Sequence, residues 1–163
     1  MPRVFVSIGS NIEREANIRA AVAMLRERYG AIELSPVYES TPIGFAGALF
    51  YNLVGAFDTA ESAEAVATAL REMETARGRK REANRFTSRT LDLDLIQYGD
   101  AIRRDPPVLP RAETTEYACI LRPLSELAPA LRHPVNGERY AVLWSRFDRS
   151  QQPLRRVEMD FSL

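Results

Sequence analysis

The order in which hydrophobic periodicity changes along the chain limits its fold more than any other feature. Arg3 to Ile8 alternates, is rich in Val, Phe and Ile, and runs into the turn Gly9-Ser10-Asn11, which predicts a strand. Ile18, Ala21, Val22 and Leu25 then recur at helical spacing through Arg28, and Gly30 stands where such a helix would close. Ile32 to Thr41 and Phe50 to Phe57 read as two further strands, separated by a loop holding Pro42, Gly44 and Gly47. A second helix is expected over Thr59 to Arg77 from Ala63, Val66, Ala67, Leu70 and Met73, with Thr59 or Ser62 as its cap. Leu91 to Tyr98 returns to strand. Beyond Asp100 the chain is loop-rich and dotted with proline, with one short helix expected near Pro123 to Ala130. Strand, helix, strand, strand, helix, strand is the order of a ferredoxin-like split βαβ layer. This is an α+β antiparallel sheet with helices on one face, the other face being available for a ligand.

A chain of 163 residues with 45% hydrophobic and 27% charged residues fits one domain with a sizeable core, here taken as residues 1–163. Its 22 basic and 22 acidic residues cancel, so neither nucleic acid nor a membrane surface is expected as a partner. The lone Cys119 makes no internal disulfide, and one Cys with one His offers no zinc spacing. The longest apolar stretch, Ile43 to Phe57, is broken by Asn52 and three glycines, and the start turns polar too soon for a secretory signal. A cytoplasmic location is expected, as a monomer with a dimer left open.

Charge is concentrated locally. Residues 77–89 carry six basic residues against Glu82, a surplus of five positive charges. Just beyond, in RTLDLDLI, strand alternation puts Asp92 and Asp94 on one face and Leu91, Leu93 and Leu95 on the other. Same-side residues of a strand lie roughly 6.5 to 7 Å apart, close enough for both carboxylates to grip one ion or bridge a pair. Hard oxygen donors favour Mg²⁺, which shares its shell with substrate phosphates, so the implied substrate is a nucleotide. Spacing alone fits an exposed solubilising pair equally well; the adjoining basic run tips the balance, since cations and metal together hold phosphate oxygens. No P-loop and no dinucleotide glycine motif occurs, so Arg side chains must do the phosphate binding. Phe50 and Asn52 share a strand face, and they suit either ordinary sheet packing or a flat heterocycle that needs stacking and an edge hydrogen bond. His133 lacks a partner in sequence reach and reads as a loop or packing residue. Trp144 and Phe147 read as core or lid residues.

At these residues the chain resembles the 6-hydroxymethyl-7,8-dihydropterin pyrophosphokinases of folate biosynthesis. The resemblance rests on IGSN (Ile8 to Asn11), STPIG (Ser40 to Gly44), FYN (Phe50 to Asn52), RFTSRTLDLDLIQYGD (Arg85 to Asp100), LRPLSELAP (Leu121 to Pro129) and HPVNG (His133 to Gly137). It implies transfer of pyrophosphate from ATP to a pterin alcohol, with AMP as the other product and a pair of Mg²⁺ ions on Asp92 and Asp94. It further implies catalytic roles for Arg79 and Arg81, on a loop that closes over the triphosphate, and for Arg89 beside it. Glu74, Arg81, Arg89 and Arg111 would serve the nucleotide. Thr41, Pro42, Ile43, Gly44, Phe50 and Asn52 would line the acceptor pocket, with Phe86 in the place of a family Trp that closes it.

The chain departs from the family pattern in the loop, near the ATP and on the acceptor side. The family's RWGPR stretch reads Arg85-Phe86-Thr87-Ser88-Arg89, and its His-Tyr pair reads Arg111-Ala112. The Arg-x-Phe lead into the PL motif reads Tyr117-Ala118-Cys119, so a thiol stands where the second aromatic of the pterin clamp belongs. These changes keep open a paralogue acting on a modified pterin-like acceptor, or a nucleotide and pterin binder without turnover.

Overall fold

The computed structural model describes residues 1–42, 44, 46–78 and 91–162. The expectations for Ile43, Arg79, Arg81, Phe86 and Arg89 lie outside these residues. The chain folds in the order β1 (Arg3–Ser10), α1 (Arg14–Tyr29), β2 (Glu33–Leu34), β3 (Val37–Ser40), β4 (Phe50–Asp58), α2 (Ala63–Ala76), β5 (Asp92–Tyr98), α3 (Glu113–Glu116), α4 (Ala118–Leu127), α5 (Tyr140–Arg146) and β6 (Leu154–Val157). The strands form one antiparallel sheet in the order β5-β1-β4-β3-β6, with β2 also paired to β4. This is the ferredoxin-like α+β arrangement.

Local chemistry accounts for the boundaries. Gly30 closes α1 at a φ of 79°, a backbone that favours glycine. Ser62 caps α2, its hydroxyl oxygen accepting from Ala65 N at 3.1 Å. The strand expected over Ile32 to Thr41 is interrupted at Ser35-Pro36, because Pro36 has no N–H for the ladder. Ser35 bridges the gap: its Oγ accepts from Val54 N at 2.8 Å while its own N–H donates to Val54 O at 2.9 Å.

Sheet alternation divides the interior in two. Val4, Val6, Ile8, Leu53, Phe57, Leu91, Leu93 and Leu95 pack with Ile18, Val22, Leu25, Val66 and Leu70 of α1 and α2. Phe5, Val54, Ala56 and Ile96 point the other way, into a second cluster with Ile120, Leu121, Leu124 and Tyr140 of α4 and α5. The opposite face is therefore available only in part, since α4 and α5 cover the portion around Phe5 and Ala56 and leave polar residues at the end where β1 finishes. Burial of a large apolar side chain contributes about 1.5–3 kcal/mol, so both clusters hold the sheet firmly. The helix expected near Pro123 begins earlier, at Ala118, with Pro123 inside it. Helix α5 and strand β6 were not anticipated. His133 organises a turn, its Nδ1 accepting from Val135 N and Asn136 N at 3.2 and 3.3 Å, and Trp144 stacks on Phe147 with ring centroids 5.6 Å apart.

Candidate active site

The polar end of the second face is built around Gly9. In the register of the sheet Gly9 faces Asn52 on β4 and Asp92 on β5, and Ser7 one step earlier faces Val54 and Asp94. Paired residues in a sheet share a face, so Asn52 of β4 and Asp92 and Asp94 of β5 project together from the two strands that flank β1. A Cβ on Gly9 would lie 2.9 Å from Asn52 Nδ2 and 3.8 Å from Phe50 Cδ1. Glycine is needed here because these two side chains lean across the central strand.

Asn52 is almost fully buried, and its Oδ1 accepts the hydroxyl hydrogen of Ser40 at 2.6 Å. The Ser40 hydroxyl and the charge of Asp92 both act on the Cys119 thiol, so Cys119 lies near the two of them. Burial pushes the Cys119 thiol up to about 12, with Asp92 adding to the rise. Cys119 thus behaves as a neutral, small packing group rather than a nucleophile.

On the other side, Leu91, Leu93 and Leu95 point into the core as expected, which fixes Asp92 and Asp94 on the half-exposed face. Arg111 is tied to the end of β5 by its N–H, which donates to Ile96 O at 3.0 Å. Its guanidinium pairs with Glu113 at 2.6 Å and approaches Asp94 Oδ1 at 3.7 Å. Glu74 comes from α2 with only 2% of its surface exposed, and its Oε2 accepts from Leu93 N at 2.8 Å. Glu74 therefore lies against the β5 backbone between the two aspartates.

The loop after β3 is held by polar contacts that the sequence reading missed. Asn11 Nδ2 donates to Ala48 O at 3.0 Å and Arg14 Nη1 to Leu49 O at 3.1 Å, with Arg14 also paired to Glu39 at 2.8 Å and stacked on the Tyr51 ring. Arg14 and Arg155 together hold the Glu39 carboxyl below its usual range, Arg155 having the larger effect. Within this loop Thr41 and Gly44 are exposed, Pro42 is half-buried, and Gly44 takes a φ of 86°. Buried Asn17 links two segments: its Nδ2 donates to Ile12 O at 2.7 Å and its Oδ1 accepts from Arg77 Nε at 2.9 Å. No sequence signal marks an Asn on the buried side of a helix as such a tie. No group of three or more His, Cys, Asp or Glu able to hold a metal occurs among the described residues, and none of the described helices is long and apolar enough to cross a membrane.

The ferredoxin-like sheet thus brings two carboxylates and a fixed amide together at one end of its second face. Residues 5–129 match the model of the family described as 7,8-dihydro-6-hydroxymethylpterin-pyrophosphokinase. A 2-amino-4-hydroxy-6-hydroxymethyldihydropteridine pyrophosphokinase of Pseudomonas aeruginosa is 36% identical over 81% of this chain and 84% of its own length. One of Methylorubrum extorquens, under the same name, is 31% identical over 97% of this chain and 100% of its own. Among solved structures, a Plasmodium falciparum HPPK-DHPS triple mutant with pteroate superposes at a TM-score of 0.72 and 13% identity. That match covers 89% of this chain and 43% of the Plasmodium one, so the chain spans less than half of that protein. The chain belongs to the 7,8-dihydro-6-hydroxymethylpterin-pyrophosphokinase family.

Proposed function

We propose that the chain transfers pyrophosphate from ATP to the hydroxymethyl group of 6-hydroxymethyl-7,8-dihydropterin, as a single cytoplasmic domain over residues 1–163. Family membership supports the reaction. The observation that carries the site is the convergence on Gly9, which puts an acceptor-side amide, Asn52, and a phosphate-side carboxylate, Asp92, in register on either side of one residue.

With AMP as the second product, the bonds that change are fixed. The hydroxymethyl oxygen bonds to the β-phosphorus, the bond from that phosphorus to the oxygen bridging it to the α-phosphorus breaks, and that oxygen leaves on AMP. The hydroxyl proton passes to solvent. No protein nucleophile takes part, so the chain's work is positioning and charge stabilisation. Phe50 offers a face for stacking, and Asn52, with its oxygen committed to Ser40, presents its NH₂ group to an acceptor atom on the heterocycle edge. Arg111 and the basic residues Arg79, Arg81 and Arg89 serve the triphosphate. Two hard carboxylates on one face suit Mg²⁺, which takes one or two protein carboxylates and completes its shell with water and phosphate oxygens. Asp92 and Asp94 would hold it, and when bound it neutralises charge on the phosphates.

Cys119, beside Ser40 and Asp92, favours a second reading in which the acceptor is a modified pterin alcohol, since the thiol leaves one ring face without an aromatic partner. Incubation with Mg²⁺, ATP and a panel of pterin alcohols, followed by chromatography of the nucleotides, separates the two. AMP formed with 6-hydroxymethyl-7,8-dihydropterin supports the first reading, AMP with a different acceptor alone supports the second, and no AMP with any acceptor overturns both.

A further inference from the structure

We propose that Glu74 is a positioning residue whose buried carboxylate sets the separation and direction of Asp92 and Asp94. This rests on the reading that the two aspartates hold the metal. Among the described residues, strand β5 is the terminal strand of the sheet and has β1 on one side only. A terminal strand keeps its pleat less firmly than an interior one, because half of its backbone groups lack a strand partner. Leu93 is the residue between the two aspartates, and its N–H donates to Glu74 Oε2 at 2.8 Å. Its side chain is meanwhile sealed in the core, with 4% exposed. The residue that spaces the carboxylates is thus clamped at both side chain and amide.

Glu74 itself is 2% exposed. A buried carboxylate is unfavourable unless its oxygens are hydrogen-bonded, and an apolar side chain would fill the same space without that penalty. The bond to β5 gives the acid a purpose that packing does not. Partners of this kind, which hold metal ligands in place, typically change metal affinity tenfold or more when removed.

The test is Mn²⁺ binding by electron paramagnetic resonance, in the presence of a non-hydrolysable ATP analogue, for wild type, Glu74→Leu and Glu74→Gln. Glu74→Leu is expected to weaken Mn²⁺ binding by about tenfold or more. Glu74→Gln is expected to stay within about threefold of wild type, because its amide oxygen accepts the same N–H. A folded Glu74→Leu protein with wild-type Mn²⁺ affinity would overturn the proposal, as would a Gln variant as weak as the Leu variant, which would mean that the charge acts directly. Should Glu74→Leu fail to fold, hydrogen exchange of the Leu93 amide in wild type decides: strong protection supports the bond, and exchange at the rate of an open edge amide refutes it. Wild-type protein that takes up no Mn²⁺ with the analogue would instead sink the aspartate reading itself.

Discussion

Ser40 donates its hydroxyl hydrogen to Asn52 Oδ1 at 2.6 Å, and this one bond fixes which way the amide is turned. With the oxygen committed, Asn52 Nδ2 lies over Gly9. On the proposed function the amide serves as a donor to ring nitrogens or carbonyl oxygens of the acceptor.

Gly9→Ala tests that arrangement. The added Cβ would stand 2.9 Å from Asn52 Nδ2, and the amide cannot swing away without giving up Ser40. The expected result is a KM for the pterin acceptor raised about tenfold or more, because small displacements of an orienting group are expensive, with the KM for ATP little changed. Equal shifts in both constants would place the disturbance elsewhere.

Asp94→Ala removes a phosphate-side carboxylate from the half-exposed face without opening a cavity. Its melting temperature should stay within a few degrees of wild type while kcat falls by about a hundredfold or more, the scale for losing one charge-stabilising group. A normally folded variant with unchanged AMP formation would contradict the role given to this residue.

Cys119 should resist alkylation. Its thiol, ordinarily near 9.0, is raised to about 12 by burial and by Asp92. At pH 8 the folded protein then carries roughly a thousandfold less thiolate than the unfolded chain, and iodoacetamide should label it correspondingly slowly. The same shift gives a pH dependence. Below pH 9 the thiol is neutral in both states and its contribution to stability is intact. As pH rises toward 12 the unfolded chain ionises first, so that contribution is lost. Stability of wild type relative to Cys119→Ala should be flat below pH 8 and decline above 9.

Asn17→Ala breaks the link between Ile12 and Arg77 by removing both of its part-buried side-chain hydrogen bonds. The expected loss is about 1–3 kcal/mol, read as a fall in melting temperature of several degrees. A fall of less than a degree would mean that the tie contributes nothing.

Much of this architecture is legible in the order of residues because it depends on short-range rules. Alternation in RTLDLDLI put Asp92 and Asp94 on one face and three leucines in the core, and Gly30 and Ser62 marked helix ends through backbone and capping chemistry that involve only near neighbours. What escaped depends on tertiary contacts. Pro123 reads as a helix start, yet α4 reaches back to Ala118 because its apolar side packs on β4 and β3. Strand β6 has no alternation of its own and exists through its pairing with β3. Glu74 and Asn17 look like ordinary helix polar residues, and the contacts of Glu74 with Leu93 and of Asn17 with Arg77 come from the meeting of α2 with β5 and of α1 with Arg77. The Ser40–Asn52 bond spans a loop and cannot be read from spacing. The expectations for Ile43, Arg79, Arg81, Phe86 and Arg89 fall outside the described residues.

The pairing of β6 with β3 reaches beyond the site. By zipping Leu154–Val157 onto Val37–Ser40, the tail replaces a strand border bearing buried Val37 and Tyr38 with one that displays the outward charges of Arg155 and Arg156. A molecule trimmed before Leu154 would leave the outer edge of β3 without the ladder partners that β6 gives it, so this short strand closes an edge that would otherwise be open to pairing.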